Sequence, residues 1–289
     1  MIILTYQQSR AELLPERGGI VRSLQFPNKM GIQEYLYRHH FFESSDWADL
    51  PGGLPLCFPV CARLKRDGQL GRYAYEGRYY QLPIHGFAWQ ASWEVVHQTA
   101  HTVRLALSAN AHTRACYPFE FYVSLEYQLG DRELRCIQRY ENRGDYPMPY
   151  CAGFHPYFLT PHKSATQITY VPTKRFVYNA DLTDIVGETA LFDLPTQLDN
   201  PVLNEQLTWV GADTCVQLHY PTGEVLTMTA LGHQEPFFPY VQLYTMSDRP
   251  FFCVEPWMGM PNAMNTVSGM RWLAPHAVET GELVLALHH

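Results

Sequence analysis

Alternation of apolar and polar residues with a period of two recurs along this chain and constrains its fold more than any other feature. Residues 102–108 and 122–129 place Val, Leu or Tyr at every second position, and residues 216–220, 226–230 and 240–244 behave similarly. Such alternation is typical of strands with one face in a core. Turn signals containing Gly separate many of these runs. Many short strands with frequent turns predict an all-β sandwich or barrel.

Two of these turn signals lie on either side of one short segment. Asp67-Gly68 and Glu76-Gly77 flank residues 72–75, and we predict a hairpin meander there. No sustained amphipathic helical run is present, and residues 9–16 and 29–37 are at most short helices or turns. The sequence therefore favours strands almost throughout.

Composition narrows the class of protein. The chain has 289 residues, 46% of them hydrophobic, and no low-complexity linker, so we expect a single domain over residues 1–289. The net charge of -7 argues against nucleic acid, whose binding needs clustered Lys and Arg, and leaves no basic patch for a membrane surface. No stretch approaches the ~18 apolar residues of a membrane span. A neutral ligand such as a free sugar is compatible with this charge.

The cysteines and the first residues bear on location. Seven cysteines, an odd number, are scattered along the chain, and no second Cys/His pair with zinc spacing accompanies Cys57 and Cys61. We expect reduced, structural thiols, no metal site and a cytoplasmic location. The start at Met1 lacks a basic region and a long apolar run, so we do not expect a signal peptide.

Three short segments place an ionisable side chain among Gly, Pro and aromatic residues. They are Pro-Ile-His85-Gly-Phe-Ala, Gly-Phe-His155-Pro-Tyr-Phe and Phe-Cys-Val-Glu255-Pro-Trp. Apolar neighbours keep the His155 imidazole partly dry, and a histidine titrating near neutrality is a suitable proton donor and acceptor. Glu255 ends an apolar run that indicates a buried strand, which Pro256 should break. A carboxylate at the dry end of a strand is a good general base.

Each residue also has a purely structural interpretation. His155 alone is compatible with a core histidine, Glu255 with a solvated carboxylate, and His85 with a turn residue. Arg63 could bind hydroxyls with its fork of donors or lie at the surface. No serine-nucleophile elbow, phosphate-binding loop or zinc pair is present. The chain has enough carboxylates for a glycosidase with two acidic catalytic residues, so that class stays open. The most distinctive segments hold two histidines and one Glu, which suit proton transfer better than cleavage of a glycosidic bond.

Taken together and in this order, the segments around Arg63, His85, His155 and Glu255 resemble the aldose 1-epimerase, or galactose mutarotase-like, superfamily. The likeness runs from about residue 51 to 262, and Pro-Asn-Ala-Met-Asn265 also resembles a family segment. It implies a large antiparallel β-sandwich, the galactose mutarotase-like supersandwich, with a sugar on a concave sheet face. It also implies a small-molecule sugar substrate and no metal or cofactor. We expect a monomer or homodimer.

The resemblance further implies a role for each residue. Glu255 takes the proton of the anomeric hydroxyl while His155 protonates the ring oxygen. Ring opening, rotation about C1–C2 and closure then interconvert the α and β anomers of a free aldohexose such as galactose or glucose. His85 would hydrogen-bond the ring-oxygen region, and Arg63 would hold hydroxyls. One group gains a proton as the other loses one, so no net charge has to leave the pocket.

Some positions depart from the family pattern. Ala62 stands where the family usually has Asn, and the carboxylate that binds a sugar hydroxyl is placed only near residues 197–209, with Asp199 and Glu205 as candidates. Pro51 and Trp89 stand where the hexose-6-phosphate branch usually has Arg. A phosphate dianion needs charge-assisted donors, so a free aldose is favoured.

Two alternatives therefore stay open beside the leading hypothesis. The first is a phosphosugar mutarotase with rearranged phosphate ligands, for which Lys65, Arg66 and Arg72 are candidates. The second is a non-catalytic sugar-binding module on the same scaffold. In either case the aromatic residues Trp89, Tyr157 and Trp257 could form a flat stacking face for a sugar, although core packing explains each equally well.

Overall fold

A computed structural model describes residues 1–39, 42, 52–211, 213–232 and 236–288. In that part of the chain almost all regular structure is β, and the all-β prediction is confirmed. The first fourteen strands are β1 (Ile2–Tyr6), β2 (Ser9–Leu14), β3 (Ile20–Asn28), β4 (Gly31–Glu34), β5 (Leu56–Cys57), β6 (Lys65–Arg66), β7 (Gln69–Leu70), β8 (Arg72–Tyr75), β9 (Arg78–Gln81), β10 (Glu94–Gln98), β11 (Thr102–Ser108), β12 (Phe121–Gly130), β13 (Glu133–Asn142) and β14 (Met148–Tyr150).

The later strands are short around residue 155 and longer towards the C-terminus. They are β15 (Gly153–Phe154), β16 (Tyr157–Leu159), β17 (Gln167–Thr169), β18 (Lys174–Tyr178), β19 (Ile185–Thr189), β20 (Thr196–Gln197), β21 (Gln206–Trp209), β22 (Thr214–His219), β23 (Val225–Gly232), β24 (Tyr240–Thr245), β25 (Phe251–Trp257), β26 (Arg271–Leu273) and β27 (Val278–His288). The helices are short: α1 (Ala111–Cys116), α2 (Ala263–Thr266) and the 3-10 turns Ala88–Gln90, Lys163–Ala165 and Pro201–Leu203. None of these helices is long and apolar enough to cross a membrane.

Two large antiparallel sheets form the sandwich. One has nine strands in the order β10-β11-β12-β13-β27-β23-β22-β17-β20. The other has eight, with β19-β18-β21-β24-β25-β15-β5 in sequence and β16 paired to β25. Their facing side chains share one hydrophobic core, in which Val123 and Leu125 of β12 join Leu243 of β24 and Val254 of β25. Of the sandwich or barrel predicted from the alternation, the structure is a sandwich, and the antiparallel β-sandwich implied by the family resemblance is confirmed.

The N-terminal region corrects one expectation. Residues 9–16 and 29–37, expected to be at most short helices or turns, contain strands β2 and β4 of a four-stranded sheet, β1-β2-β3-β4. Pairing with neighbouring strands supplies the backbone partners that a short, weakly patterned segment cannot supply for itself. The hairpin meander is confirmed, because β6 pairs with β7 and β8 with β9. Their turns have positive φ at Asp67, Gly68, Glu76 and Gly77, as tight hairpins require.

Pro256 does not break β25, contrary to expectation. The strand continues to Trp257, and Pro256 stands opposite Val241 of β24. On the other side, β16 pairs with residues 251–253 and β15 with Trp257, so residues 254–256 face the gap between two short strands. A proline there removes no ladder hydrogen bond. The same gap holds His155, which lies between β15 and β16.

Candidate active site

A cavity of about 390 Å³ lies on the face of the eight-stranded sheet that points away from the shared core. It brings together all four site residues predicted from sequence: Arg63, His85, His155 and Glu255. Its other lining residues are Ile20, Phe42, Gly52, Pro55, Cys57, Ala62, Ile84, Trp89, Tyr157, Tyr178, Leu182, Glu205, Gln242, Tyr244, Met246 and Trp257.

The strand period explains why Glu255 faces the cavity. In β25, Phe252 and Val254 pack in the shared core, so Glu255 points to the opposite face. In β24, Val241 and Leu243 face the core in the same way, and Gln242 faces the cavity directly opposite Glu255 in register. The same alternation brings Tyr244 of β24 and Trp257 of β25 to the cavity as well.

His155 and Glu255 are direct neighbours. The His155 Nε2 lies 3.3 Å from Glu255 Oε1, and both side chains are almost fully buried. The remaining polar atoms of the pair, His155 Nδ1 and Glu255 Oε2, have no hydrogen-bond partner in the described protein. Buried polar atoms are rarely left unsatisfied, so this pair departs from ordinary core packing.

Burial shifts both members of the pair towards their neutral forms. It raises the pKa of Glu255 well above its usual range, and the nearby Glu205 carboxylate raises it further. The Trp257 indole N–H acts on this pKa in the opposite direction. Burial also lowers the pKa of His155 well below that of a free histidine. These two shifts favour a resting pair with its one titratable proton on Glu255 and a neutral His155 ring.

His85 is held in one orientation by the backbone around residue 62. The backbone N–H of Ala62 donates to the ring atom Nδ1 of His85 at 3.1 Å. In return, the backbone N–H of His85 donates to the Ala62 carbonyl at 3.0 Å. Burial and the neighbouring His155 and Arg63 lower the pKa of His85, so its ring is neutral. Because Nδ1 accepts a hydrogen bond, the ring proton is on Nε2. His85 therefore presents a donor to the cavity.

The position of the ring proton on His85 determines whether His85, His155 and Glu255 could bind a metal ion together. One ligand atom each from His85, His155 and Glu255 lies within 4.8 Å of the others, which is close enough to share an ion. A metal needs a free imidazole lone pair, but the His85 Nδ1 lone pair accepts from Ala62 and its Nε2 carries the proton. The trio fits a sugar oxygen that accepts a hydrogen bond better than a cation.

Arg63 lies at the polar end of the cavity. Burial raises the pKa of Glu205, and the positive charge of the Arg63 guanidinium partly offsets that rise. The backbone beside it is clamped by Asn262, whose N–H donates to the Arg63 carbonyl and whose side chain bonds both the N–H and the carbonyl of Lys65. The family-like segment ending at Asn265 thus supports the Arg63 position.

Of the two carboxylates considered near residues 197–209, only Glu205 lines the cavity, and Asp199 is exposed on a turn. Gln242 Nε2 donates to Glu205 Oε2 at 3.2 Å, and Tyr178 Oη donates to Gln242 Oε1 at 2.9 Å. Sequence reasoning missed Gln242 and Tyr178. The signal for Gln242 was an amide on the same strand face as Tyr240 and Tyr244.

The proposed phosphate ligands lie elsewhere. Lys65 pairs with Asp181, and Arg66 Nη1 donates to Asn265 at 3.4 Å. The Arg72 guanidinium stacks over the Tyr79 ring at 3.5 Å. None of the three lines the cavity, where Arg63 is the one cation among the described lining residues. Pro51 lies outside the described residues.

The three aromatic candidates all line the cavity. Tyr157 stacks on His155, with ring centroids 4.5 Å apart and an interplanar angle of 12°, so one of its faces is already covered. Trp257 packs against His85 at 5.8 Å, and Trp89 donates from its indole nitrogen to the Gly86 carbonyl at 3.0 Å. Tyr157 therefore serves first to hold the His155 ring.

Comparison with known sequences agrees with this geometry. The sequence model of the family described as aldose 1-epimerase matches residues 4–285. The chain belongs to the aldose 1-epimerase family. Protein LacX (chromosomal) of Lactococcus lactis subsp. lactis is 23% identical over 230 residues, which cover 74% of this chain and 76% of that protein.

Solved structures share the fold of this family member. A galactose mutarotase-like protein from Lactobacillus casei aligns with a TM-score of 0.80 and 23% identity over 100% of both chains. The GalM/aldose epimerase homologue from C. elegans aligns with a TM-score of 0.78 and 17% identity, covering 100% of this chain and 98% of that one. These likenesses confirm the galactose mutarotase-like sandwich.

Proposed function

We propose that this protein is an aldose 1-epimerase that interconverts the α and β anomers of a free aldohexose such as galactose or glucose. The observation that carries the proposal is the 3.3 Å approach of His155 Nε2 to Glu255 Oε1 inside a cavity large enough for a hexose. Both residues line this cavity, and they are close enough to each other to act on the hydroxyl and ring oxygens of one hemiacetal carbon.

The reactive form has the shared proton on His155 and Glu255 as the carboxylate, so the proton first passes from Glu255 to His155 across their 3.3 Å contact. Glu255 accepts the proton of the anomeric hydroxyl, and His155 gives its proton to the ring oxygen as the C1–O5 bond breaks. Both groups are then neutral, which is the form that burial favours for each of them. Closure on the opposite face of the aldehyde returns both protons and gives the other anomer. The pair thus alternates between charged and neutral states without exchange with solvent.

The remaining groups bind the substrate. The His85 Nε2–H donates to the ring oxygen, whose lone pairs can accept it. The Arg63 guanidinium and the Glu205 carboxylate supply a donor fork and an acceptor for ring hydroxyls. These assignments support a catalyst more than a non-catalytic module, because simple sugar binding gives no reason to bury an unsatisfied acid–base pair.

A phosphorylated sugar is the less supported substrate, because Lys65, Arg66 and Arg72 do not line the cavity. We further propose that residues 1–289 act as one domain, as a monomer or homodimer, and without a bound cofactor. All seven cysteines are free, which supports the proposed cytoplasmic location.

Polarimetry tests the proposed activity directly. Freshly dissolved α-D-glucose and α-D-galactose should approach anomeric equilibrium faster with the protein than in buffer, at a rate proportional to protein concentration. Glucose 6-phosphate at equal concentration distinguishes the phosphosugar alternative. No acceleration with any common aldose, together with saturable sugar binding, would instead support the binding module.

A further inference from the structure

The cavity has two ends of opposite character, with the acid–base pair between them. At one end, Gln242 lies opposite Glu255 and donates to Glu205, and Arg63 lies close enough to Glu205 to offset part of the rise that burial causes in its pKa. We call this end the polar lobe. It offers donors and an acceptor, which is what a row of sugar hydroxyls requires.

The other end borders the two histidines and is apolar. Ile84 directly precedes His85, and Pro55 accepts a backbone hydrogen bond from His155 at 3.0 Å. Ile20 and Phe42 pack together in one hydrophobic cluster beside them. We call the wall formed by Ile20, Phe42, Pro55, Ile84 and Trp89 the apolar lobe.

Trp89 strengthens the apolar character of this lobe. Its one polar atom, Nε1, donates to the carbonyls of Gly86 at 3.0 Å and Ile84 at 3.3 Å, so it is already satisfied by backbone. The indole therefore offers only carbon to a ligand. Among the described residues of the apolar lobe, none carries a charge or a free hydrogen-bonding side chain.

The chemistry of a pyranose fixes which part of it meets each lobe. C1 is bonded to the ring oxygen on one side and to C2 on the other, and the ring oxygen leads to C5 and its substituent. If Glu255 and the histidines hold O1 and the ring oxygen, the hydroxyls of C2 to C4 reach the polar lobe. The C5 substituent then lies beyond the histidines, against the apolar lobe.

We infer that the cavity selects aldoses with an apolar substituent at C5, so that 6-deoxyhexoses, which carry a methyl group there, are better substrates than the parent hexoses. This inference rests on the proposed function. A methyl group against Ile84 and Trp89 gains apolar contact, whereas a hydroxymethyl group loses a hydrogen bond to water that no described side chain of the apolar lobe replaces. A phosphate at the same carbon would bring a dianion to an apolar wall.

Matched sugars provide the test. In the galacto configuration these are D-galactose, 6-deoxy-D-galactose, D-galactose 6-phosphate and L-arabinose, which has the same ring without C6. The gluco series is D-glucose, 6-deoxy-D-glucose, D-glucose 6-phosphate and D-xylose. In the preferred configuration, kcat/KM for the 6-deoxy sugar should exceed that of the parent hexose and of the pentose by about tenfold, as expected for one methyl group. The 6-phosphate should fall below the parent by at least about a hundredfold.

Variants locate the effect. In Ile84→Ser the ratio of kcat/KM for the 6-deoxy sugar to that for the parent hexose should fall towards one. Leu182→Ser is the matched control, because Leu182 lines the cavity near Tyr178 at the polar lobe, and its ratio should match wild type. Acceleration with equal rates for parent and 6-deoxy sugars, or a preferred phosphate, overturns this inference alone. Absence of acceleration with every aldose overturns the proposed function as well.

Discussion

The central strands of the two large sheets differ in where their charged residues lie. On the nine-stranded sheet, charges lie on the outer face and meet opposite charges near water, as Arg104 does with Glu126 and Arg139 with Glu141. On the eight-stranded sheet, Glu255 is only 1% exposed, and its Oε2 has no hydrogen-bond partner in the described protein. The first arrangement leaves each charge paired and close to water at little cost in free energy. The second lowers stability and is retained, we infer, because catalysis needs it.

The largest effect should follow from removing either member of the buried pair. Glu255→Gln and His155→Asn are each expected to lower kcat for mutarotation by about a thousandfold, within the range of general acid–base catalysis. Polarimetry with α-D-galactose measures the loss, and circular dichroism checks that the fold survives. Glu126→Gln on the nine-stranded sheet is the matched control and should keep wild-type kcat. Wild-type activity in either pair variant would reject the assignment.

A core substitution on the nine-stranded sheet should affect stability alone. Leu125 is fully buried in the shared core, and Leu125→Ala is expected to lower the free energy of unfolding by about 3 kcal/mol. Thermal denaturation should show a melting temperature lower by about 8 °C. At 25 °C, kcat and KM should stay at wild-type values, because the site is built on the other sheet. A large change in KM would show that packing on the nine-stranded sheet also affects substrate binding on the eight-stranded sheet.

Substitution of Glu205 should change both the binding of the sugar and the pH dependence of kcat. Its charge raises the pKa of Glu255, so Glu205→Gln should lower that pKa and move the acid limb of kcat towards lower pH. Loss of the charged acceptor for a hydroxyl should also raise KM about tenfold. The pH dependence of kcat and KM with α-D-galactose measures both effects. An unchanged acid limb would mean that Glu205 does not act on Glu255. Asp199→Asn, on an exposed turn, is the control.

The smallest effect is a gain in stability. The folded-state pKa of Glu255 is raised, so its contribution to stability is present below its unfolded pKa of about 4.3 and is lost as the pH rises. Glu255→Gln removes this loss and should stabilise the protein by about 1 kcal/mol at pH 7. Melting temperatures of both proteins at pH 4 and pH 7 test the sign. The variant should gain over wild type at pH 7 only, and an equal difference at both pH values would contradict the linkage.

The fold and the grouping of four site residues could be predicted from the sequence, and the predictions that were wrong have physical causes. Period-two alternation was enough to predict β12 and β24. The setting of His155 and Glu255 alone was not enough, and the ordered resemblance of four segments to a known family led to the prediction that they share a site with Arg63 and His85. All four line one cavity. The strand Ser9–Leu14 was not predicted, because it is stabilised by pairing with a strand on each side. Pro256 was judged by local chemistry, whereas a gap between two distant short strands decides its tolerance.

The polar lobe was harder to predict for a related reason. Glu205 and Asp199 are similar in sequence context, and only the packing of β21 beside β24 brings Glu205 to Gln242. The tautomer of His85 depends on a contact with Ala62, which is 23 residues away. Side chains that act through such long-range contacts leave no local pattern in the sequence.

A double-mutant cycle measured by magnetisation exchange tests the central claim most directly. The exchange rate between the C1 signals of α- and β-[1-13C]galactose is compared for wild type, Glu255→Gln, His155→Asn and the double variant. If the pair acts as one unit, the double variant should be no slower than either single variant by more than about tenfold. Losses that multiply in the double variant, or a wild-type rate equal to that of buffer, would contradict a shared acid–base pair.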